Sequence, residues 1–344
     1  MNSENSIWKL LADLENKKGI TEIIINNSDH IYIEREGKLI RLNTSVEVFD
    51  FDSFCQDVAS YNNIKFDLDN PIIDGSLYDG SRINIISDIY TNSTPAITIR
   101  KFLTEINKLD DLDGKFSLDN KSINFLKSIV QSRMNIIVSG GTGVGKTTFL
   151  NLLLQEISPK ERVVSIEDTK ELNFQAQNLV SLLTSTSRNE IQNPLTTRDL
   201  VKNTLRMRPD RIIIGEVRGG EAFDLLQSMN TGHDGSMCTV HANDCAEALT
   251  RIENLFLYSG IEIPLKAIRY QMSSAIDFII QLDRDRDGNR VVSKIAEVSN
   301  MEGDVILLQT LAAYREEKLR FTGLVPKRIN SLFTNGNLDR EFFI

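Results

Sequence analysis

Residues 140–147 read Gly-Gly-Thr-Gly-Val-Gly-Lys-Thr, and no other stretch restricts the possible folds so strongly. The run matches G-x(4)-G-K-[ST]. It follows the apolar strand Asn135-Ile136-Ile137-Val138 and opens a helix from Thr147 to Leu154, the context in which such a loop cradles phosphate. Glycines let the backbone curl so that several N–H groups face one β-phosphate, helped by the positive end of the following helix. Lys146 supplies a point charge for the β- and γ-oxygens, and the Thr147 hydroxyl is a ligand for Mg²⁺. The candidate nucleotide-binding residues are therefore Gly140, Gly141, Thr142, Gly143, Val144, Gly145, Lys146, Thr147 and Thr148. The expected cofactors are ATP and Mg²⁺, with Thr147 as the metal ligand.

The surrounding pattern has the same character. Arg162-Val163-Val164-Ser165-Ile166 and Arg211-Ile212-Ile213-Ile214 are short apolar runs without alternation, separated by helical spacing. Buried strands of that kind imply a parallel sheet with helices on both faces. Upstream, Thr21-Glu22-Ile23-Ile24-Ile25-Asn26, Ile31-Tyr32-Ile33-Glu34, Leu39-Ile40 and Ile97-Thr98-Ile99 read as strands. Glu36-Gly37 and Asp79-Gly80 read as turns, and 51–62 as a helix. The expected fold is α/β, a RecA-like P-loop NTPase core with a smaller α+β N-terminal domain. The expected boundaries are 1–106 for that domain, 107–116 for an Asp-rich linker and 117–344 for the ATPase domain. Residues 321–344 are too weakly patterned to place.

Charge and cysteine usage narrow the function. The 344 residues carry 39 Lys+Arg against 48 Asp+Glu, net −9, and residues 1–110 hold 18 acidic and 11 basic side chains. Such a chain repels phosphate backbones on average, so direct nucleic-acid binding is not expected. Three cysteines without a CxxC argue against a disulfide framework or structural zinc. No apolar run has the length of a membrane span, and the first residues show no targeting pattern.

Three further segments carry chemistry. Ile166-Glu167-Asp168-Thr169-Lys170-Glu171-Leu172 lies at a strand's C-terminal end, where ligands sit in open α/β sheets. Ile212-Ile213-Ile214-Gly215-Glu216 resembles a Walker B strand and puts Glu216 near the metal and the attacking water. Gly215 stands where most P-loop proteins have a metal-binding Asp, so Mg²⁺ is expected on Thr147 and waters, with Glu171 or Glu216 beyond them. Thr231 to Asn243 holds His233 and His241. These are either two structurally satisfied histidines or a γ-phosphate sensor; a zinc pair lacks a third ligand.

These segments come in the order of the secretion-superfamily ATPases, the motors of type II and type IV secretion and of type IV pili. Leu205-Arg206-Met207-Arg208-Pro209-Asp210-Arg211, Asn230-Thr231-Gly232-His233-Asp234-Gly235-Ser236, Thr21 to Asn26 and Asp283 to Gly288 resemble the CpaF-type branch, which drives Tad/Flp pili. The resemblance implies a cytoplasmic homohexamer, peripheral to the inner membrane, that powers pilus assembly (and retraction in some motors) through a platform protein. Membrane contact is then made only through partners. It also implies catalytic roles for Glu171, orienting water, and Glu216, polarising it, and arginine fingers at Arg82 and Arg100. His241 is the remaining catalytic candidate, and Arg206, Arg208 and Arg218 are candidate phosphate or subunit contacts. The alternative within the superfamily is a type IV secretion or conjugation motor. A DNA translocase and a nucleotide-dependent scaffold are the readings outside it.

Overall fold

Isoleucine at every second position builds the first sheet. Ile23, Ile25, Ile31, Ile33, Ile83, Ile85, Ile97 and Ile99 are all buried, while the residues between them face outward. The computed structural model describes residues 5–343 apart from 16, 18, 36–37, 92, 102–107, 175 and 185–193. It divides into two units, the first comprising Met1–Thr104, Thr169–Glu171 and Thr184–Pro194. In that unit β1 (Ile20–Ile25), β2 (Ile31–Arg35), β3 (Lys38–Arg41), β4 (Ile72–Ser76), β5 (Arg82–Ile86) and β6 (Ala96–Arg100) form an antiparallel sheet ordered β3-β2-β1-β6-β5-β4. Helices α1 (Ser6–Glu15) and α2 (Asp50–Asn62) contribute Ile7, Phe51 and Phe54 to its core. The expected turn at Glu36-Gly37 lies outside the described residues.

The second unit runs through α3 (Asn120–Gln131), β7 (Ile136–Gly140), α4 (Lys146–Leu154), β8 (Arg162–Glu167), β9 (Asn178–Leu183), α5 (Thr197–Thr204) and β10 (Arg211–Ile214). It continues with α6 (Glu221–Asn230), β11 (Met237–His241), α7 (Cys245–Leu257), α8 (Leu265–Ala275), β12 (Phe278–Arg284), β13 (Arg290–Glu302), β14 (Val305–Arg315), β15 (Lys318–Phe321) and α9 (Ile329–Thr334). The sheet order is β15-β14-β13-β12-β7-β11-β10-β8-β9. From β12 to β9 every pairing is parallel, as the apolar runs imply; β13–β15 add antiparallel strands. That meander follows from turn chemistry at Gly288 and Gly303, both in the left-handed region.

Strand residues alternate between two apolar layers. Ile136 and Val138 pack with α3 and α4 on one face, and Ile137, Ile214 and Val240 pack with α6–α8 on the other. The segment expected as a linker is anchored by apolar side chains. Residue 107 is outside the described residues, but Leu109 and Leu112 are fully buried in the first layer and the Phe116 carbonyl accepts from the Val292 N–H at 2.9 Å. Leu109, Leu112 and Phe116 thus join the second unit's core, while the charged residues between them stay exposed. The tail that the pattern could not place closes the same layer, with Leu332, Leu338 and Phe342 buried there.

One carboxylate in this core carries a pH dependence. Asp277 precedes β12, accepts from the Asn135 N–H at 2.8 Å and lies 3.0 Å from Arg328 Nε. Burial pushes its pKa from 3.8 up to about 6 against the opposing pull of Arg328. A carboxyl whose folded pKa is raised binds more protons folded than unfolded, so stability falls as pH climbs from about 4 to 6 and is level above. Urea unfolding of wild type and Asp277→Asn across that range is expected to show a difference that shifts against wild type by on the order of 2–3 kcal/mol. A pH-independent difference would refute the assignment.

Candidate functional site: the phosphate loop and its neighbours

Gly140 ends β7 where a side chain has no room. A Cβ there would sit 2.6 Å from Val144 Cγ2 and 2.7 Å from the Leu282 carbonyl oxygen. Gly143 and Gly145 take φ of 73° and 93°, the left-handed region open to glycine, and Gly145 caps α4. The loop therefore delivers Lys146, Thr147 and Thr148 into the first helical turn, all half-buried, while Thr142 is exposed. Lys146 Nζ donates to the Gly140 and Gly141 carbonyls at 2.9 and 2.7 Å, holding the ammonium over the loop. Gly140→Ala is expected to cost on the order of 1–3 kcal/mol, since a backbone carbonyl cannot move aside as a side chain can. Thermal melting checks this, and an unchanged Tm would contradict the close approach.

Two predicted residues share this edge of the sheet. In the β11–β7 register His241 pairs with Gly140, and its side chain is exposed. Glu216 follows β10 by two residues, and the turn carrying it is tied to β11. The Val217 N–H donates to the Thr239 carbonyl at 3.0 Å, and Thr239 Oγ1 donates to the Gly215 carbonyl at 2.6 Å. Arg218 Nη2 donates to Glu216 Oε2 at 2.7 Å, and its Nη1 lies 3.6 Å from Asp168 Oδ2. The structure also explains Gly215. A Cβ there would come 3.1 Å from Glu167 Cγ, so the buried Glu167 carboxylate fills the space beside it, accepting from the Leu172 N–H at 2.8 Å. Among the described residues no cluster of three His, Cys, Asp or Glu could hold a metal ion. The donor set fits Mg²⁺ carried in with a nucleotide, met by the Thr147 hydroxyl, rather than a cage made by the protein.

Arg82, Arg100 and Glu171 belong to the first unit. Arg82 and Arg100 face each other directly across β5 and β6, and Glu22 faces Arg100 from β1. Like charges placed opposite each other destabilise a sheet. Here Arg82 Nη1 donates to Glu171 Oε1 at hydrogen-bond distance, and Arg100 Nε lies 4.0 Å from Glu22. The two histidines part company: His233 lies before β11, at the end away from the phosphate loop, with Nδ1 3.2 Å from the Ser228 carbonyl. Arg206 and Arg208 are exposed. One residue escaped the sequence reading as a site residue. Arg284 bridges the Gly143 carbonyl in the loop and the Gly288 carbonyl in the β12–β13 turn, each at 3.0 Å. Its sequence signals are the charged run Asp283 to Asp287 and the family wording of Asp283 to Gly288, neither of which says what it faces.

A glycine-rich loop leaving a central strand of a parallel sheet and opening a helix is what sets the RecA-like P-loop fold apart, and the second unit has that fold. Residues 5–306 match the family described as type II/IV secretion system protein, and the chain belongs to that family. It is 34% identical over 293 residues to the conjugal transfer protein TrbB of Rhizobium radiobacter, covering 83% of this chain and 84% of that one. It is 32% identical over 304 residues to the type IV secretion system protein VirB11 of Bartonella quintana, covering 78% and 85%. Among solved structures, the ATPase DotB of Legionella pneumophila shares the fold with a TM-score of 0.59 at 18% identity, over 87% of this chain and 82% of that one. Among the described residues no helix is long and apolar enough to cross a membrane.

Proposed function

We propose that this chain is an ATPase motor of a type IV secretion or conjugal-transfer apparatus. The observation that carries the chemistry is the meeting of the phosphate loop, His241 and Glu216 at one edge of the sheet. The system is suggested by relatives named for conjugal transfer and type IV secretion. In this reading the loop N–H groups and Lys146 grip the β- and γ-phosphates, Glu216 polarises the attacking water, Glu171 orients it, and His241 senses the γ-phosphate. Thr147 would hold Mg²⁺ brought in with the nucleotide, and the ion would supply positive charge against the negative charge that develops on the phosphates. Arg82 and Arg100 supply guanidinium charge to the transferring phosphoryl group. The working assembly is a homohexamer on an inner-membrane partner, on the cytoplasmic side, without direct contact to nucleic acid.

Deleting the gene in its host tests the system: transfer of DNA or protein to recipient cells should be lost. Loss of surface pili with transfer intact would favour the second reading, a Tad/Flp pilus motor, which rests on the wording of Leu205 to Arg211 and Asn230 to Ser236. Arg100→Ala is expected to weaken ATP binding and lower kcat by about 10³-fold. Light scattering with an ATP analogue is expected to give the mass of six subunits, and a fully active monomer would end the ring reading.

A further inference from the structure

Gln281 sits where stability gives no reason for an amide. It lies on β12, is 2% exposed, and faces the layer built by Ile137, Ile279 and Val240. Its Nε2 donates to the Ala242 carbonyl at 3.2 Å. Ala242 follows β11, and β7 runs between β11 and β12, so the side chain reaches across the strand that bears the phosphate loop. Directly beneath is Ser139, the register partner of both Gln281 and Val240, one residue before Gly140. Neither Gln281 Oε1 nor Ser139 Oγ has a hydrogen-bond partner among the described residues. A buried polar atom left without a partner is disfavoured relative to an apolar side chain of the same bulk, so packing alone would select methionine or leucine here. The amide Nε2 also donates to the Leu282 carbonyl of its own strand at 3.4 Å, so its bond to Ala242 is the one that reaches another strand, at the residue after His241.

We propose that Gln281 is a positioning residue that holds the His241–Ala242 segment against the phosphate loop, acting on the γ-phosphate through His241. This rests on the ATPase reading. The neighbouring Ser139 hydroxyl fits the role, because it can donate to Oε1 when the amide shifts, giving the tether a second satisfied arrangement as the nucleotide changes.

Gln281→Met keeps the volume and removes the tether, and Gln281→Asn keeps an amide too short to reach. Either variant is expected to lower kcat by about 10- to 100-fold, with KM for ATP within about twofold; Tm should be equal or higher in Gln281→Met, which removes the unpartnered amide oxygen, and lower in Gln281→Asn, which strands the whole amide. In a His241→Ala background the same substitutions should cause no further loss, since residues acting as one unit are not additive. Hydrogen exchange reads the tether without catalysis: amides 241–243 should exchange faster in the variants while 136–140 do not change. Wild-type kcat, a loss that persists in the His241→Ala background, a lowered Tm of Gln281→Met, or unchanged exchange at 241–243 would each overturn the proposal. If wild-type protein hydrolyses no ATP, the ATPase reading falls instead, and exchange still decides the tether.

Discussion

Lys146→Ala is expected to abolish ATP hydrolysis, with a fall in phosphate release on the order of 10³-fold or more, while the melting temperature stays near wild type. The loss follows from removing the one side-chain cation of the loop, at the point where charge accumulates on the β- and γ-oxygens. The fold should survive because the bonds from Nζ to the Gly140 and Gly141 carbonyls lie on a partly exposed loop rather than in a packed layer. The glycine φ values that shape the loop do not depend on that side chain. Near wild-type turnover would disprove the site.

Glu216→Gln separates binding from chemistry. The substitution keeps size and hydrogen-bonding capacity but removes the charge that draws a proton from water, so nucleotide should bind with similar affinity while kcat falls by about 10²–10⁴. Arg218, which donates to Glu216 Oε2, would keep an acceptor there and keep Asp168 beside its other nitrogen, losing one of two charged partners. Calorimetric ATP-analogue binding alongside steady-state rates checks both halves. Weakened binding with kcat preserved would place Glu216 outside the reacting centre.

How much of this was legible beforehand depended on the range of the forces involved. The phosphate loop is written in local terms, since Gly143 and Gly145 need positive φ and Lys146 must open a helix, and adjacent residues carry all of that. The parallel strands were legible because burial on both faces leaves an unbroken apolar run. The meeting of Arg82 with Arg100 is set by the β5–β6 register, which sequence spacing does not reveal. Within 108–116 the acidic residues dominate the composition, yet Leu109 and Leu112 carry the packing, which composition does not weigh. His233 and His241 looked alike in sequence, yet one strand's length puts them at opposite ends of β11. The burial of Glu167 against Gly215 follows from the pairing of β8 with β10, which no local sequence signal carries.

The buried tail has a consequence for how the chain is made. Among the described residues the first unit's apolar core draws on residues 7–99, so that core is complete early in synthesis, before the later segments of the unit arrive. The layer beneath the phosphate loop is different: it starts at Leu109 and is not closed until Leu332, Leu338 and Phe342 arrive. Synthesis of the stretch between takes roughly ten to forty seconds at ordinary elongation rates. For that interval the nascent chain presents the apolar face of α3 and unpaired strand edges to the cytosol. The second unit is therefore the part of the molecule that a ribosome-bound chaperone would have to shield, and slowing translation would lengthen its exposure while leaving the first unit's core unaffected.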